Sequence, residues 1–431
     1  MSSSTVAIII LMASFFFLIA TGMRIVFAIG ISTLVTVVYL GLPIQVLAHN
    51  TVKGLNSFSL MSVPFFILAG EIMGAGGITN RLVKFSNALV GWIRGGLGMV
   101  NIAASMFFGG ISGSPTADAS SIGAMLIPVM EKEGYDTEFA TTVTMASSVQ
   151  GLLIPPSHNM VIYAMAAGGV SIGKLFLAGA VPGVFLGLAL MVYCYIESVR
   201  KKYPKGDPFD MRVVLRTGWE AVLGLGTVVI VVFGVVGGWF TATESAAIAV
   251  VWAFIVTFFI YREIPLREMV NILRRCVRTI SIVMMLVGIS SAFGWLLAYL
   301  RVPVMFANFI LGVSSNKVII LLIINLLLIC LGMIMDMISI ILIVTPIILP
   351  ITTQLGVDPI HLGPVMILNL GIGLITPPVG VILFIGSALS KLTIERLTVA
   401  MLPFYAVMLT VLGIITYVPE ISLYLPNLIM K

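Results

Sequence analysis

Long apolar runs separated by short polar connections make up most of this chain. Runs of about twenty apolar residues recur at 5–22, 25–42, 57–76, 137–168, 172–198, 218–238, 243–261, 279–300, 361–390 and 397–424. Each is long enough to cross a bilayer as a helix. Two further apolar stretches, 97–130 and 317–350, break the pattern because Gly and polar residues sit at their centres: "GGISGSPTADASS" (109–121) and "LGMIMDMIS" (331–339). Half of such a stretch makes a helix of roughly 25 Å, short for a crossing. Each therefore predicts a re-entrant hairpin that enters and leaves on one side.

Two of the long runs carry an interruption of another kind. "LLIPPSHN" (152–159) and "GLITPPV" (373–379) hold the only Pro-Pro pairs in the chain. Two consecutive prolines remove two backbone donors and push the preceding residue out of helical geometry. Unpaired backbone at membrane depth is tolerated only where it lines a polar cavity or is buried in protein. The broken helix then exposes carbonyls at the end of its first half, suited to a small hard cation. It also exposes N–H groups at the start of its second half, suited to an anion.

With 60% hydrophobic and 9% charged residues, the chain is an all-α membrane protein with no stretch long or polar enough for a soluble catalytic domain. The net charge of +6 reports topology. With both hairpins treated as non-crossing, 18 of the 23 Lys and Arg fall on one side, leaving Lys53, Lys174, Arg301, Lys317 and Lys431 on the other. That asymmetry satisfies the positive-inside rule with both termini periplasmic, and it collapses if either stretch crosses fully. The basic residues lack the aromatic interleaving of a nucleic-acid site, so no nucleic-acid partner is expected. Cys194, Cys276 and Cys330 show no metal-ligand spacing and read as buried small residues. The first run has no positive charge before it and reads as a retained helix rather than a cleaved signal. The segments 78–95 and 263–278 mix apolar and basic positions at helical spacing, as surface-lying amphipathic helices do.

The two halves echo each other. "TADASSIGAMLIP" (116–128) and "IMDMISIILIVTP" (334–346) each place an Asp ten residues before a Pro. The Pro-Pro pairs follow about thirty residues later, and "VSIGKLFLAGAVP" (170–182) and "LTIERLTVAMLP" (392–403) follow those. The first hairpin opens from the cytoplasm and the second from outside, so the repeats are inverted, an architecture common among secondary transporters.

These features nominate site residues. The first tip offers the hydroxyls of Ser112, Ser114, Thr116, Ser120 and Ser121, the carboxylate of Asp118, and close backbone access at Gly110 and Gly113. Facing it across the first break are Gly151 and Pro155. The second junction is poorer in hydroxyls and rests on carbonyls near Gly332 and Gly373, with Asp336, Thr376 and Pro377. An anion falls to Ser114, Thr116, Ser157, Asn159 and Gly380, since no Arg is found in the predicted core; Arg301 and Arg396 read as interfacial. Structural readings compete: Asp118 and Asp336 suit helix caps, Glu71 and Glu244 suit solvated span ends, His158 suits a hydrogen-bonded core position, and His49 and His361 fall in predicted loops.

With "GGISGSPTADASSIGAMLIPVM", "GLLIPPS" and "EKEGYDTEFATTVTMASS" in place, the chain resembles the large membrane subunit of tripartite ATP-independent periplasmic (TRAP) transporters over its whole length, closest to the sialic-acid branch. The resemblance implies an elevator-type importer coupled to at least two Na⁺, each between a hairpin tip and a broken helix. It also implies a separate small four-helix membrane subunit, a periplasmic substrate-binding protein, a small organic-acid substrate, surrounding lipid, and a place in the bacterial inner membrane. On that pattern 1–76 holds scaffold helices of the first repeat. The segment 77–198 holds an amphipathic arm, the first hairpin, the broken helix and the following helix. A cytoplasmic connector spans 199–217, second-repeat scaffold helices 218–262, a second arm and helix 263–300, and the second hairpin, broken helix and last helix 301–431. No nucleotide-binding motif is present, in keeping with ion coupling. Two other classes compete: an autonomous Na⁺- or H⁺-coupled carboxylate carrier, and an intramembrane serine protease built on "GISG" (110–113) with His158 as base.

Overall fold

The computed structural model describes residues 3–314 and 316–430; Lys431, one of the five outlying basic residues, lies outside them. Among the described residues the regular structure is helical, apart from one isolated bridge between Arg94 and Lys205. Helices α1 (Ser3–Ala20) and α2 (Ile25–Tyr39) pack together, and the amphipathic α3 (Ile44–Leu55) turns by 63° into α4 (Ser62–Ala75). The short α5 (Ile78–Val90) leads into the first hairpin, α6 (Gly96–Ser112) and α7 (Pro115–Lys132). The first broken helix is α8 (Thr137–Gln150) plus α9 (His158–Ala166), followed by the long α10 (Ile172–Arg200). The second half runs through α11 (Met211–Val236), α12 (Ala242–Phe254, continued by the wider turns of Ile255–Tyr261), α13 (Met269–Tyr299) and α14 (Val302–Val313). The second hairpin is α15 (Lys317–Gly332) and α16 (Met337–Gln354), and the second broken helix is α17 (Pro359–Leu374) plus α18 (Val381–Ser390). Helices α19 (Ile394–Tyr417) and α20 (Glu420–Ile429) end the chain.

Local sequence explains many boundaries. Ser114 caps α7, with Pro115 at its first position. Asp358 caps α17, accepting from Ile360 N at 2.7 Å, again ahead of a proline. Thr241 and Glu244 form a reciprocal capping box on α12. Such caps satisfy N–H groups that a helix start otherwise leaves open.

Several boundaries differ from the sequence pattern. Among the described residues six helices are long and apolar enough to cross a membrane alone, one of them the hairpin arm Met337–Gln354. Five of the ten expected crossings are among these six; of the other five, two are broken at Pro-Pro, the first two helices are short, and 57–76 qualifies only together with α3 as a bent pair. The run 263–278 is no separate arm: after a short turn at Leu266–Glu268 it is the start of α13. The element that precedes the second hairpin, as α5 precedes the first, is α14. His49 and His361 lie in α3 and α17 rather than in loops; His361 is buried, its Nε2 3.3 Å from the Thr416 carbonyl.

The packing repeats with the chain. Each hairpin's first arm lies on the first half of its own broken helix, α6 on α8 and α15 on α17. Each second arm lies on the second half of the other repeat's broken helix, α7 on α18 and α16 on α9. Buried side-chain hydrogen bonds reinforce the first pairing: Asn101 to Thr144 (2.6 Å) and Ser147 (3.1 Å) in one half, Asn369 to Asn325 (2.8 Å) in the other. Tyr163 of α9 donates to the Pro359 carbonyl of α17 at 2.7 Å, joining the repeats. Helices α4, α12 and α13 pack together as a second group, with α2 and α3 on α13. This group meets the hairpins through α4 on α6 and α13 on α16.

Candidate functional site

The first junction is built on backbone. A Cβ on Gly109 would lie 2.2 Å from the Gly151 Cα, so α6 and α8 cross with nothing but glycine between them. At the next residue, a Cβ on Gly110 would lie 2.8 Å from the Pro155 carbonyl oxygen. Gly113 ends α6 with φ +60, a conformation glycine adopts without steric cost. It sits against the His158 ring, and its carbonyl accepts from Asn159 Nδ2 at 3.3 Å. The tip is therefore level with the break, which itself lies partway through the α8–α9 crossing. This contact is what makes α6–α7 a hairpin rather than two crossings.

Ser112 Oγ bonds weakly with the Ser114 backbone (3.4–3.5 Å), and Ser114 Oγ lies 3.0 Å from Thr116 Oγ1. Ser114 is the cap of α7, so the capping role considered for Asp118 belongs to Ser114 instead. Asp118 sits in the first turn, 1% exposed, with the Ser105 hydroxyl as its polar neighbour but no hydrogen bond of normal geometry to either carboxylate oxygen. Ser157 Oγ and His158 Nδ1 are also buried without a partner. Buried polar atoms without partners are rare and costly. These atoms belong to the first turn of α7 and to the residues that open α9.

The second junction repeats the crossing with a different finish. A Cβ on Gly373 would lie 2.6 Å from the Gly332 Cα, and Val379 N donates to the Met333 carbonyl at 3.2 Å. Asp336 is half-buried and caps α16, accepting from Ser339 N (2.9 Å) and Ser339 Oγ (2.6 Å). Thr376 Oγ1 donates to the Ile372 carbonyl at 2.6 Å, and Tyr405 donates to the neighbouring Ile375 carbonyl. Both Pro155–Pro156 and Pro377–Pro378 are cis. Pro377 is half-buried and Pro378 exposed, whereas the first pair is buried. Gly380 starts α18 at φ +50.

Ser112, Ser114, Thr116 and His158 line one cavity of about 610 Å³, with Glu71 and Arg275 on its opposite wall. Asn159 lies buried behind it, and Gly380 is not among its lining residues. A second cavity of about 500 Å³ lies beyond, between α13, α16 and the α9–α10 connection. Glu71 was read from sequence as a solvated span end, and Arg275 lay unmarked in the basic run 263–278. Structure pairs them, Nε to Oε2 at 3.0 Å. Arg396 pairs with Glu138 at the start of α8. Among the described residues no group of three or more His, Cys, Asp or Glu side chains gathers as a metal centre. Ser112 and His158 make no hydrogen bond to each other, so the "GISG" segment has no serine–histidine pair.

Two hairpin tips pressed on two broken helices, in halves that repeat each other's packing, define a membrane transporter. Comparison with known proteins agrees. The family model described as "Tripartite ATP-independent periplasmic transporter, DctM component" matches residues 12–421, and the chain belongs to that family; it is a transporter subunit and not an enzyme. It is 43% identical to the uncharacterized protein YgiK of Salmonella typhimurium, over 98% of this chain and 97% of that one. It is 38% identical to the sialic acid TRAP transporter large permease protein SiaM of Vibrio cholerae, over 89% and 90%. The C4-dicarboxylate large permease DctM of Pseudomonas aeruginosa is 39% identical over 89% and 90%. The Alcanivorax borkumensis YdaH transporter shares the fold (TM-score 0.61, 86% of each chain) at 14% identity.

Proposed function

We propose that this chain is the large permease of a Na⁺-coupled importer of a small organic acid. It works with a small membrane subunit and a periplasmic binding protein in the bacterial inner membrane, both termini periplasmic. The observation that carries the proposal is the set of unpartnered buried groups at the first junction, Asp118 and Ser157 above all. A hard cation takes oxygen ligands, and a carboxylate without hydrogen bonds beside a glycine-rich tip fits one. One Na⁺ falls to Gly110, Ser112, Gly113, Ser114 and Asp118 with Gly151 and Pro155. A second falls to Gly332, Asp336, Gly373, Thr376 and Pro377, and there it relies on carbonyls, because Asp336 and Thr376 already have partners. Ser114 and Thr116, which line the cavity, serve the substrate, with Ser157 and Asn159 buried behind them and Gly380 away from the lining.

The hairpins and broken helices move as one body against α4, α12 and α13, an elevator motion that carries the site across. At about 100 mV each inward positive charge contributes roughly 2.3 kcal/mol. Two Na⁺ with a monoanion therefore bring one net charge plus two concentration gradients. Substrate class rests on relatives that are named for sialic acid and for C4-dicarboxylates at 38% and 39% identity, a difference too small to choose between them. Sialic acid is our first candidate.

The test is uptake of radiolabelled N-acetylneuraminate and of succinate by proteoliposomes holding the chain and its small subunit, with and without the binding protein. Uptake of either that requires the binding protein is expected. Uptake that proceeds equally without it would identify an autonomous carrier.

A further inference from the structure

The cavity under the first tip has two unlike walls. The hairpin and broken helix supply hydroxyls and the His158 ring, whose Nδ1 is buried and unpartnered. The α4–α13 wall supplies Glu71 and Arg275, and Arg275 is the only Lys or Arg among the lining residues. Its Nε is bound to Glu71 Oε2 at 3.0 Å. Its nearest other charged neighbour is Glu268, 3.8 Å from a terminal nitrogen and outside hydrogen-bond range. A guanidinium carries five N–H donors in a fixed fork; Glu71 holds this one by its edge, and its terminal nitrogens make no hydrogen bond, one of them standing in a longer ion pair with Glu268.

We infer that Arg275 is the carboxylate-binding residue of this cavity, receiving the organic anion as it leaves the hairpin tip, with Glu71 as its positioning partner. The terminal fork, which makes no hydrogen bond here, matches a carboxylate bidentately once the anion displaces the longer Glu268 contact. The wall that carries it belongs to the α4–α13 group, whereas the hydroxyls opposite belong to the hairpin. The complete site therefore exists only with the two bodies in the relative position seen here, and Arg275 acts on one face of the membrane. Glu71 orients the guanidinium but also repels the incoming anion, so removing its charge while keeping an acceptor should tighten binding. This inference rests on the organic-anion reading above, though not on Na⁺ coupling.

The test is a cysteine placed at Thr279, which lines the same cavity one turn along α13. The background is Cys330→Ala; Cys194 and Cys276 are buried and stay. Maleimide labelling of this cysteine is followed in the purified chain against rising succinate and N-acetylneuraminate, with chloride as control. At least one of the two carboxylates should protect. Its half-protecting concentration should rise about tenfold with Arg275→Gln, the low end for a charged hydrogen bond at a half-exposed site. Arg275→Lys should fall between, and Glu71→Gln should shift the value the opposite way. Protection by neither carboxylate, or wild-type protection in Arg275→Gln, would overturn the inference. Na⁺-gradient uptake run in parallel separates the two readings. Arg275-dependent protection without uptake removes coupled transport and keeps the site; uptake without Arg275-dependent protection removes the site alone.

Discussion

Replacing Gly109 by alanine tests the junction where it is tightest. The new methyl would sit 2.2 Å from the Gly151 Cα and 3.1 Å from its carbonyl carbon, against ordinary contacts of 3.4–4 Å. Both partners are backbone, so no rotamer change relieves the clash, and α6 must move off α8 by about 1.2 Å. Overpacking of this kind costs about 1–3 kcal/mol. The larger consequence is for ion binding. A hard cation such as Ca²⁺ holds oxygens at about 2.3–2.6 Å, and a ligand moved by more than 1 Å leaves the shell of an ion of that size. Half-saturating Na⁺ should rise at least about tenfold, equivalent to about 1.4 kcal/mol. Gly332→Ala meets the Gly373 Cα at 3.1 Å, needs only a few tenths of an ångström, and should change Na⁺ affinity far less. Gly413→Ala meets nothing within 4 Å and should leave Na⁺ affinity untouched while gaining up to about 1 kcal/mol of helix stability. The assay is the thermal unfolding midpoint in detergent against Na⁺, with K⁺ keeping ionic strength constant, because a ligand of the native state raises the midpoint by mass action. A folded Gly109→Ala protein with wild-type half-saturating Na⁺ would refute the junction as an ion site.

Asp118→Asn should weaken Na⁺ stabilisation about tenfold or more, yet unfold in K⁺ no earlier than wild type, since it removes a buried carboxylate that lacks a partner; a lower midpoint in K⁺ would show a structural role. Asp136, in the connection before α8, is held below the usual carboxylate range mainly by the Lys201 hydrogen bond and also by Tyr203. Its contribution is therefore present above its unfolded value of about 3.9 and is lost as pH falls through the lower folded value. Asp136→Asn should flatten that acid limb in a midpoint-against-pH series, and an unchanged limb would exclude Asp136 as its source. Thr241→Ala breaks the capping box on α12 and should cost about 1 kcal/mol without changing Na⁺ affinity, read from the same unfolding curves.

Much of the fold was legible because lipid imposes strict rules. Interrupted apolar runs and Pro-Pro pairs violate those rules, and the violations lie where the tips meet the breaks. The pairing of Gly110 with Pro155 and of Gly332 with Gly373 could be anticipated from the repeat. Gly109, one residue away, makes the closest approach at either junction, and spacing alone gave no means of choosing it. Helices α3 and α14 were missed because each has only twelve residues, below what a crossing needs, so hydropathy passes over them. Arg275 was hidden in "EIPLREMVNILRRCVR", a surface-like run that forms the mostly exposed first turns of a long helix. A lone acid in the apolar segment of α4, Glu71, was the only signal that a basic partner lay nearby.

Initial uptake rate against external Na⁺, in proteoliposomes holding the complete assembly, tests Na⁺ coupling most directly. Two junctions that both bind Na⁺ require a sigmoidal dependence with a Hill coefficient above 1. Asp118→Asn should shift that curve to higher Na⁺. Uptake that runs equally in K⁺ and follows external pH would contradict ion binding at the hairpin tips and identify a proton-driven carrier.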